Sequence, residues 1–213
     1  VYPVDQTCCG QPMANSGFEH LTDGCNTLFT RNFSGLDYIV CPSGSCTLHI
    51  KDHLHSAENE EQAQKIRNSM YELTEFLTDV LKVKEIPVKF PYKVGIHQSC
   101  HGQRGLFLSQ MSELVAPPFS KPVDLLRMVD GLELISLDRD DECCGFGGTF
   151  CISEEAVSAK MGIDRVNDHT RNGAEVITGV DMSCLMHLEG VMKRRNSNIR
   201  ILHIAEILSG SVS

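Results

Sequence analysis

The residues of this chain best suited to chemistry are cysteines, of which its 213 residues include ten. Two adjacent pairs are each followed by glycine, as Cys8-Cys9-Gly10 and Cys143-Cys144-Gly145. Each pair is followed by a lone cysteine in matching surroundings, Cys46 or Cys184, at nearly the same interval (46 − 9 = 37 and 184 − 144 = 40 positions). Two motifs that recur in the same order at nearly the same spacing indicate an internal repeat.

Reduced thiolates are soft ligands, and they favour a metal or an iron–sulfur cluster. Cysteines in small secreted chains usually form disulfides, but this chain is long and rich in helix-period segments. Adjacent cysteines also rarely bond to each other, because the intervening peptide must be strained to reach disulfide geometry. In the second half, the predicted metal ligands are Cys100, Cys143, Cys144 and Cys184.

Asp181 lies three residues before Cys184 and has two interpretations, a hard fifth ligand or a cap of the following helix. The first half offers a smaller predicted ligand set, Cys8, Cys9 and Cys46, with Ser43 in place of the aspartate. Cys41 follows a predicted strand and is a candidate to supplement that set.

Three glycines after the second pair, Gly145, Gly147 and Gly148, are predicted to bind the cofactor. Lacking side chains, they let the backbone come close to a bulky cofactor and direct N–H groups at its sulfides. Their spacing does not match a nucleotide-binding loop. The sequence also contains no flavin or nicotinamide motif.

The other candidate residues are assigned mainly structural roles. His97 and His101 flank Cys100 in a pattern that suits zinc, although histidines near turns more often hydrogen-bond to the backbone. Cys25 and Cys151 have no repeat counterpart and are interpreted as buried small apolar residues. His49 and His187 occupy matching positions in the two repeats. We assign them either to hydrogen bonds that support the metal ligands or to helix packing.

Short strands that alternate with helices predict the fold that positions these residues. They indicate an α/β protein of two tandem pseudo-symmetric Rossmann-like repeats with parallel sheets. Strands are predicted at residues 38–40, 94–97, 132–137, 176–180 and 199–203. The cysteines then follow strands, at the sheet edge where α/β proteins place their sites. Breaks at Pro87 and Pro91 divide the repeats into residues 1–90 and 91–213. We expect the first repeat to be incomplete at its N-terminus, because it lacks an opening strand.

The clearest predicted helix runs from Glu61 to Leu81. Five apolar residues recur there on one helical face: Ile66, Met70, Leu73, Leu77 and Val80. Further helices are predicted from Asn15 or Ser16 to about Phe29, at residues 122–128, from Ser153 to about Asn172, after Cys184, and at residues 205–208.

Composition and charge exclude several function classes. A net charge of −9 argues against nucleic acid or an anionic membrane surface as the main partner. No apolar run approaches the roughly 18–20 residues of a spanning helix. The visible N-terminus has no signal-peptide pattern.

The Cys-Cys-Gly pairs, each with a downstream x-x-Cys turn, resemble the CCG cysteine-rich domain found in heterodisulfide reductase. The same domain occurs in iron–sulfur subunits of glycolate oxidase and anaerobic glycerol-3-phosphate dehydrogenase. The wider family pattern ends in Cys-x-x-Cys, whereas this chain has Ser43-x-x-Cys46 and Asp181-x-x-Cys184. The chain is more similar to the lactate utilization protein A family, in Cys8–Pro12 with Asn15–Gly17, Pro42–Cys46, Glu72–Phe76, Cys143–Phe150 and His203–Glu206.

The resemblance implies a cytoplasmic electron-transfer subunit with clusters of the 4Fe–4S type, cubane or noncubane. It implies a role in the oxidation of L-lactate to pyruvate, with a ferredoxin-like iron–sulfur subunit and a third lactate-utilization subunit as partners. This chain would then be a non-autonomous subunit of an oxidoreductase.

Two alternatives remain open. One is a structural or regulatory zinc protein, with a tetrahedral site of Cys143, Cys144, Cys184 and either Cys100 or His187. The other is a thiol–disulfide redox protein that uses the vicinal Cys143-Cys144 pair.

Overall fold

Parallel strands organise the protein, which a computed structural model describes from residue 2 to residue 211. The strands form a two-stranded sheet, β1–β2, and a four-stranded sheet in the order β4–β3–β5–β6, and all pairings are parallel. This arrangement confirms the predicted α/β class with two Rossmann-like units. The strands are β1 Ile39–Cys41, β2 Met70–Glu72, β3 Lys93–His97, β4 Glu133–Leu134, β5 Val176–Gly179 and β6 Arg200–His203.

Helices connect the strands. They are α1 Gln11–Asn15, α2 Asp23–Phe33, α3 Gly44–His53, α4 Glu60–Ser69, α5 Leu73–Glu75, α6 Lys121–Leu126, α7 Phe150–Ser153, α8 Glu155–Arg171, α9 Met182–Arg194 and α10 Ile204–Ser209. A 3₁₀ turn at Glu19–Leu21 and π-helical turns at Phe76–Val80 and His101–Gly105 add to these. Between residues 2 and 211, none of the helices combines the length and apolar character needed to cross a membrane.

The helix predicted from Glu61 to Leu81 is wrong, because a strand interrupts it. Helix α4 ends at Ser69, and β2 follows with Met70 paired to Ile39 of β1. A new helix then starts at a capping box, in which the Glu72 carboxylate accepts the N–H of Glu75 and the Glu75 carboxylate accepts that of Glu72. The apolar spacing fitted one helical face, yet Met70 is buried as a strand residue.

The helix predicted from Asn15 or Ser16 to about Phe29 has the wrong start. Asn15 ends α1 rather than beginning a longer helix, and Gly17 adopts a left-handed backbone with φ of 83°. Helix α2 begins later, at Asp23, and continues to Phe33.

The two halves repeat one sequence of elements. The first half runs β1, α3, α4, β2 and α5, and the second half runs β5, α9, β6 and α10, which is the same order without a counterpart of α4. His203 starts α10 with a capping box to Glu206, as Glu72 starts α5 with one to Glu75. The division of the chain at residue 90 stays a prediction.

Candidate metal centre

The turn after each cysteine pair has the same local geometry in both halves. Gly145 has a φ of 88°, and its N–H donates to the sulfur of Cys143 at 3.3 Å. Gly10 has a φ of 92°, and its N–H donates to the sulfur of Cys8 at 3.5 Å. This left-handed backbone requires glycine, because a Cβ atom would strain it. The repeated Cys-Cys-Gly sequence therefore encodes a repeated turn that points an N–H group at sulfur.

The second half gathers four predicted ligands. Cys100 immediately precedes the π-helical turn after β3, Cys143 and Cys144 lie in the loop after β4, and Cys184 lies in the first turn of α9 after β5. Thiol hydrogen bonds from Cys100 and Cys144 lower the pKa of Cys143 to about 2. The same contacts, together with burial, raise the pKa values of Cys100 and Cys144. The four sulfurs thus form one connected cluster.

His97, at the end of β3, also reaches this cluster. One of its ring nitrogens and the sulfurs of Cys144 and Cys184 lie within 4.8 Å of one another. The Cys144 thiol, and after it the nearby His97 imidazole, lower the pKa of Cys184 to about 6 against the effect of burial. His97 was not among the predicted ligands. The available signal was its position three residues before Cys100, and that signal alone did not separate it from His101.

The first half gathers a smaller cluster of Cys9, Cys41 and Cys46. Thiol hydrogen bonds from Cys41 and Cys9 lower the pKa of Cys46 to about 2. Those hydrogen bonds and burial raise the pKa values of Cys9 and Cys41. Cys8, the remaining predicted ligand of this half, is exposed. The structure therefore brings Cys9 and Cys46 together and adds Cys41 to them.

Asp181 lies where the halves meet. Its carboxylate is buried and accepts hydrogen bonds from the Ser43 hydroxyl at 2.9 Å, the Ser45 hydroxyl at 2.7 Å and the Ser45 N–H at 3.1 Å. The alternative that its side chain caps the following helix is wrong, because it accepts no backbone N–H of α9. It instead accepts from the first turn of α3, and the Gly44 N–H donates to Val180 O beside it at 3.2 Å.

The remaining candidates lie around the clusters. Gly147 and Gly148 have φ values of 53° and 64°, so all three predicted cofactor-binding glycines are left-handed. The Cys151 thiol donates to Gly148 O at 3.0 Å. His101 and His187 have their Nε2 atoms 3.4 Å from the Gln11 amide and from Ser158 O, respectively.

The second-half cluster fits a soft metal or an iron–sulfur cluster. Its donors are the sulfur atoms of four cysteines, all half-buried or buried, and thiolates are the ligands that such centres use. The Nε2 atom of His97 is buried and has no hydrogen-bond partner in the described part of the chain, and a ring nitrogen of this residue lies within 4.8 Å of the Cys144 and Cys184 sulfurs. An unpartnered buried polar atom next to converging sulfurs is expected where a group normally binds.

Comparisons with known proteins agree with this chemistry. The model of the CCG cysteine-rich domain family matches residues 1–51 and 94–189. A lactate utilization protein A from Exiguobacterium sp. is 37% identical over 99% of this chain and 84% of its own length. Proteins of the same name from Halalkalibacterium halodurans and Bacillus subtilis are 37% and 34% identical, each over 98% of this chain and over 83% and 85% of their own lengths.

Proposed function

This chain belongs to the CCG cysteine-rich domain family and, within it, to the lactate utilization protein A family, and from this membership we propose that it transfers electrons in lactate utilization. In this proposal its cysteines hold iron–sulfur clusters of the 4Fe–4S type, cubane or noncubane. A bound cluster supplies one-electron transfer between partners. The chain's own residues bind it, shield it from water and set the hydrogen bonds to its sulfurs.

The observation that carries the proposal is the convergence of Cys100, Cys143, Cys144 and Cys184. Their sulfurs come from three separate segments, which follow β3, β4 and β5, and they interact directly. Soft anionic ligands in this number are what a cluster requires. We propose that Gly145, Gly147 and Gly148 let the backbone approach it closely. Asp181 is proposed as a fifth ligand, which would have to exchange hydrogen bonds with Ser43 and Ser45 for the metal.

A second ligand set is proposed in the first half. Cys8, Cys9 and Cys46 are the family-matched residues, and Cys41 supports the set because it contacts Cys46. Cys8 is exposed, so it would bind at the open side of the cluster.

The two-electron chemistry of lactate oxidation is assigned to a partner, since this chain has no flavin or nicotinamide motif. We propose that the chain works in the cytoplasm with a ferredoxin-like iron–sulfur subunit and a third lactate-utilization subunit. The names of the relatives, which are lactate utilization proteins, support a role of this chain in a lactate-utilization system.

The deciding experiment measures iron, acid-labile sulfide and zinc in anaerobically purified protein, together with its electron paramagnetic resonance spectrum. We expect iron and sulfide in about equal amounts. In Cys143→Ser we expect most of the iron, sulfide and resonance signal of the second-half cluster to be lost. Cys151→Ser is the matched control, because that thiol bonds to Gly148 O outside the cluster. Protein that folds and binds no sulfide after anaerobic iron reconstitution would overturn the proposal.

One observation favours a second candidate function, a structural zinc site. A nitrogen of His97 with the sulfurs of Cys144 and Cys184 forms a compact set of three ligand atoms within 4.8 Å. Zinc takes such mixed nitrogen and sulfur ligands in tetrahedral sites. Stoichiometric zinc without sulfide in the same measurement would support this candidate and reject electron transfer.

A further inference from the structure

Arg165 of α8 is fully buried behind His97, and its guanidinium is held in place from several sides. Its Nε–H donates to His97 Nδ1 at 3.2 Å. The remaining N–H groups donate to the carbonyl oxygens of Ile96 at 3.3 Å, Asp140 at 3.0 Å and Arg139, and to the Asp168 carboxylate at 3.4 Å. Because these acceptors fix the guanidinium, His97 meets a donor whose direction is set by the fold.

That donor determines which nitrogen of His97 carries the proton. A guanidinium can only donate hydrogen bonds, so Nδ1 must accept with its lone pair. A neutral imidazole has one N–H, which must then be on Nε2. A ring protonated on Nδ1 would direct an N–H at the N–H of Arg165.

The protonated nitrogen is the one available to the cysteines. His97 is 1% exposed, and its Nε2 has no hydrogen-bond partner among the described residues. One ring nitrogen of His97 and the sulfurs of Cys144 and Cys184 lie within 4.8 Å of one another. Because Nδ1 is engaged by Arg165, Nε2 is the nitrogen left for these sulfurs. A metal ligand would need the Nε2 lone pair, which this tautomer does not offer.

We propose that His97, oriented by Arg165, carries its proton on Nε2 and directs this N–H toward the sulfurs of Cys144 and Cys184, where it donates to a centre bound there, and that His97 is not a metal ligand. Its effect on a cluster rests on the proposed function, whereas its tautomer does not. A donor to sulfur stabilises the more negatively charged reduced state, so it raises the reduction potential of a centre bound there.

The first test uses metal-free, reduced protein with ¹⁵N-labelled histidine, read by nuclear magnetic resonance. We expect His97 to carry its proton on Nε2, with the signal assigned by its loss in His97→Gln. A proton on Nδ1 would overturn the proposal. This measurement decides the matter even if wild-type protein binds no iron, so failure of the proposed function and failure of this inference are distinguishable.

The second test uses iron-reconstituted protein and electron–nuclear double resonance on the same label. We expect weak ¹⁵N coupling and an exchangeable proton near the centre. Strong ¹⁵N coupling that disappears in His97→Gln would mean direct ligation and would overturn the proposal.

The potential provides a third readout, with iron per chain measured alongside it. In His97→Phe we expect full iron content and an equilibrium constant for reduction about tenfold lower, as for loss of a hydrogen bond to a charged group, or ~59 mV for one electron. His97→Gln, which keeps an N–H donor, should recover part of the shift. Loss of iron from folded His97→Phe would contradict a purely donating role. The wild-type resonance tests decide the question if this variant does not fold.

Discussion

The two halves of the molecule build the same cysteine turn but complete it with different residues. In both, the glycine after the cysteine pair is left-handed and its N–H donates to the first cysteine sulfur. The second half then adds Cys100, from the loop after β3. The first half adds Cys41, from the end of β1. When the two halves are aligned by matching Cys46 to Cys184, Cys41 matches Gly179 and not Cys100. The two added thiols therefore follow strands that do not correspond in the two halves.

The difference follows from the sheets. Strand β3 lies inside the four-stranded sheet beside β5 and delivers Cys100 and His97 to the same edge. Among residues 2–211 the first-half sheet has only β1 and β2. A cysteine at the end of β1 therefore takes the place that the second half gives to a cysteine after a neighbouring strand. The number of sulfurs at each site depends on which strands surround it, while the Cys-Cys-Gly turn itself is constant.

The largest expected effect comes from adding one methyl group to each turn. A Cβ at Gly145 would lie 2.7 Å from both Ser158 O and the Cβ of Met161, whereas one at Gly10 would lie 3.1 Å from a methyl group of Thr22. Both alanines incur roughly 1–2 kcal/mol of left-handed strain, and overpacking adds about 1–3 kcal/mol at Gly145. We expect Gly145→Ala to lower the free energy of unfolding by roughly 2–5 kcal/mol and Gly10→Ala by roughly 1–2 kcal/mol.

Urea unfolding of metal-free, reduced protein measures this difference without any contribution from a bound centre. Gly24→Ala is the control, because this glycine lies in α2 and, apart from its chain neighbours and the helix's own backbone, no atom of residues 2–211 lies within 4 Å of the added Cβ. It should gain about 0.5–1 kcal/mol from helix propensity. Equal losses at Gly10 and Gly145 would show that the two turns are packed alike.

The sequence predicted the repeated turn and most of the strands, because those signals are local. The predicted strand at residues 94–97 differs from β3 by one residue, and that at 176–180 differs from β5 by one. Strand β2 was missed because Met70 and Leu73 also fit helical spacing. Its detectable signal was the match of Glu72-x-x-Glu75 to His203-x-x-Glu206, two capping boxes at equivalent places.

The role of His97 and the partners of Asp181 could not be predicted in the same way. His97 is oriented by Arg165, a residue of α8 that is remote in sequence, and no spacing rule connects the two. Asp181 bonds to Ser43 and Ser45 of the other half. Such contacts depend on how packed elements meet, which periodicity and motif spacing do not encode.

The two capping-box residues are expected to give the halves opposite pH dependence. Burial raises the pKa of Glu72 from 4.5 to about 7. The contribution of the protonated Glu72 carboxyl group to the free energy of unfolding is therefore fully present below pH 4.5 and is lost as the pH rises through 7. This shift corresponds to about 3 kcal/mol, at 1.36 kcal/mol per pKa unit. Burial lowers the pKa of His203, so its contribution is present above pH 6.5 and lost as the pH falls through its lowered pKa.

Chemical denaturation between pH 4.5 and 8 tests both directions. Glu72→Gln should gain stability relative to wild type as the pH rises, and His203→Asn should gain as it falls, since neither amide titrates. Asparagine can still accept the Ala205 N–H that His203 Nδ1 now accepts. Variant curves that run parallel to the wild-type curve would show that these buried groups do not set the pH dependence.

The smallest effect concerns the residues at which the halves differ most plainly, Ser43 and Asp181. Asp181→Asn replaces one acceptor oxygen by an NH₂ group that faces the Ser45 N–H, and it removes the charge that strengthens these hydrogen bonds. We expect a loss of about 1–2 kcal/mol in the metal-free protein. Asp124→Asn is the control, because its exposed pair with Arg127 contributes roughly 0–1 kcal/mol.

Ser43→Ala tests the hydrogen bond between Ser43 and Asp181 from the Ser43 side. It removes a donor to Asp181 and also the N-cap of α3, where the Ser43 hydroxyl accepts the Cys46 N–H at 3.3 Å, and about 1 kcal/mol is expected. If Asp181 bridges the halves, the double variant loses less than the sum of the single losses, because both changes break the same hydrogen bond. If Asp181 acted only as a metal ligand, metal-free Asp181→Asn protein would be as stable as wild type, and only its iron content would fall.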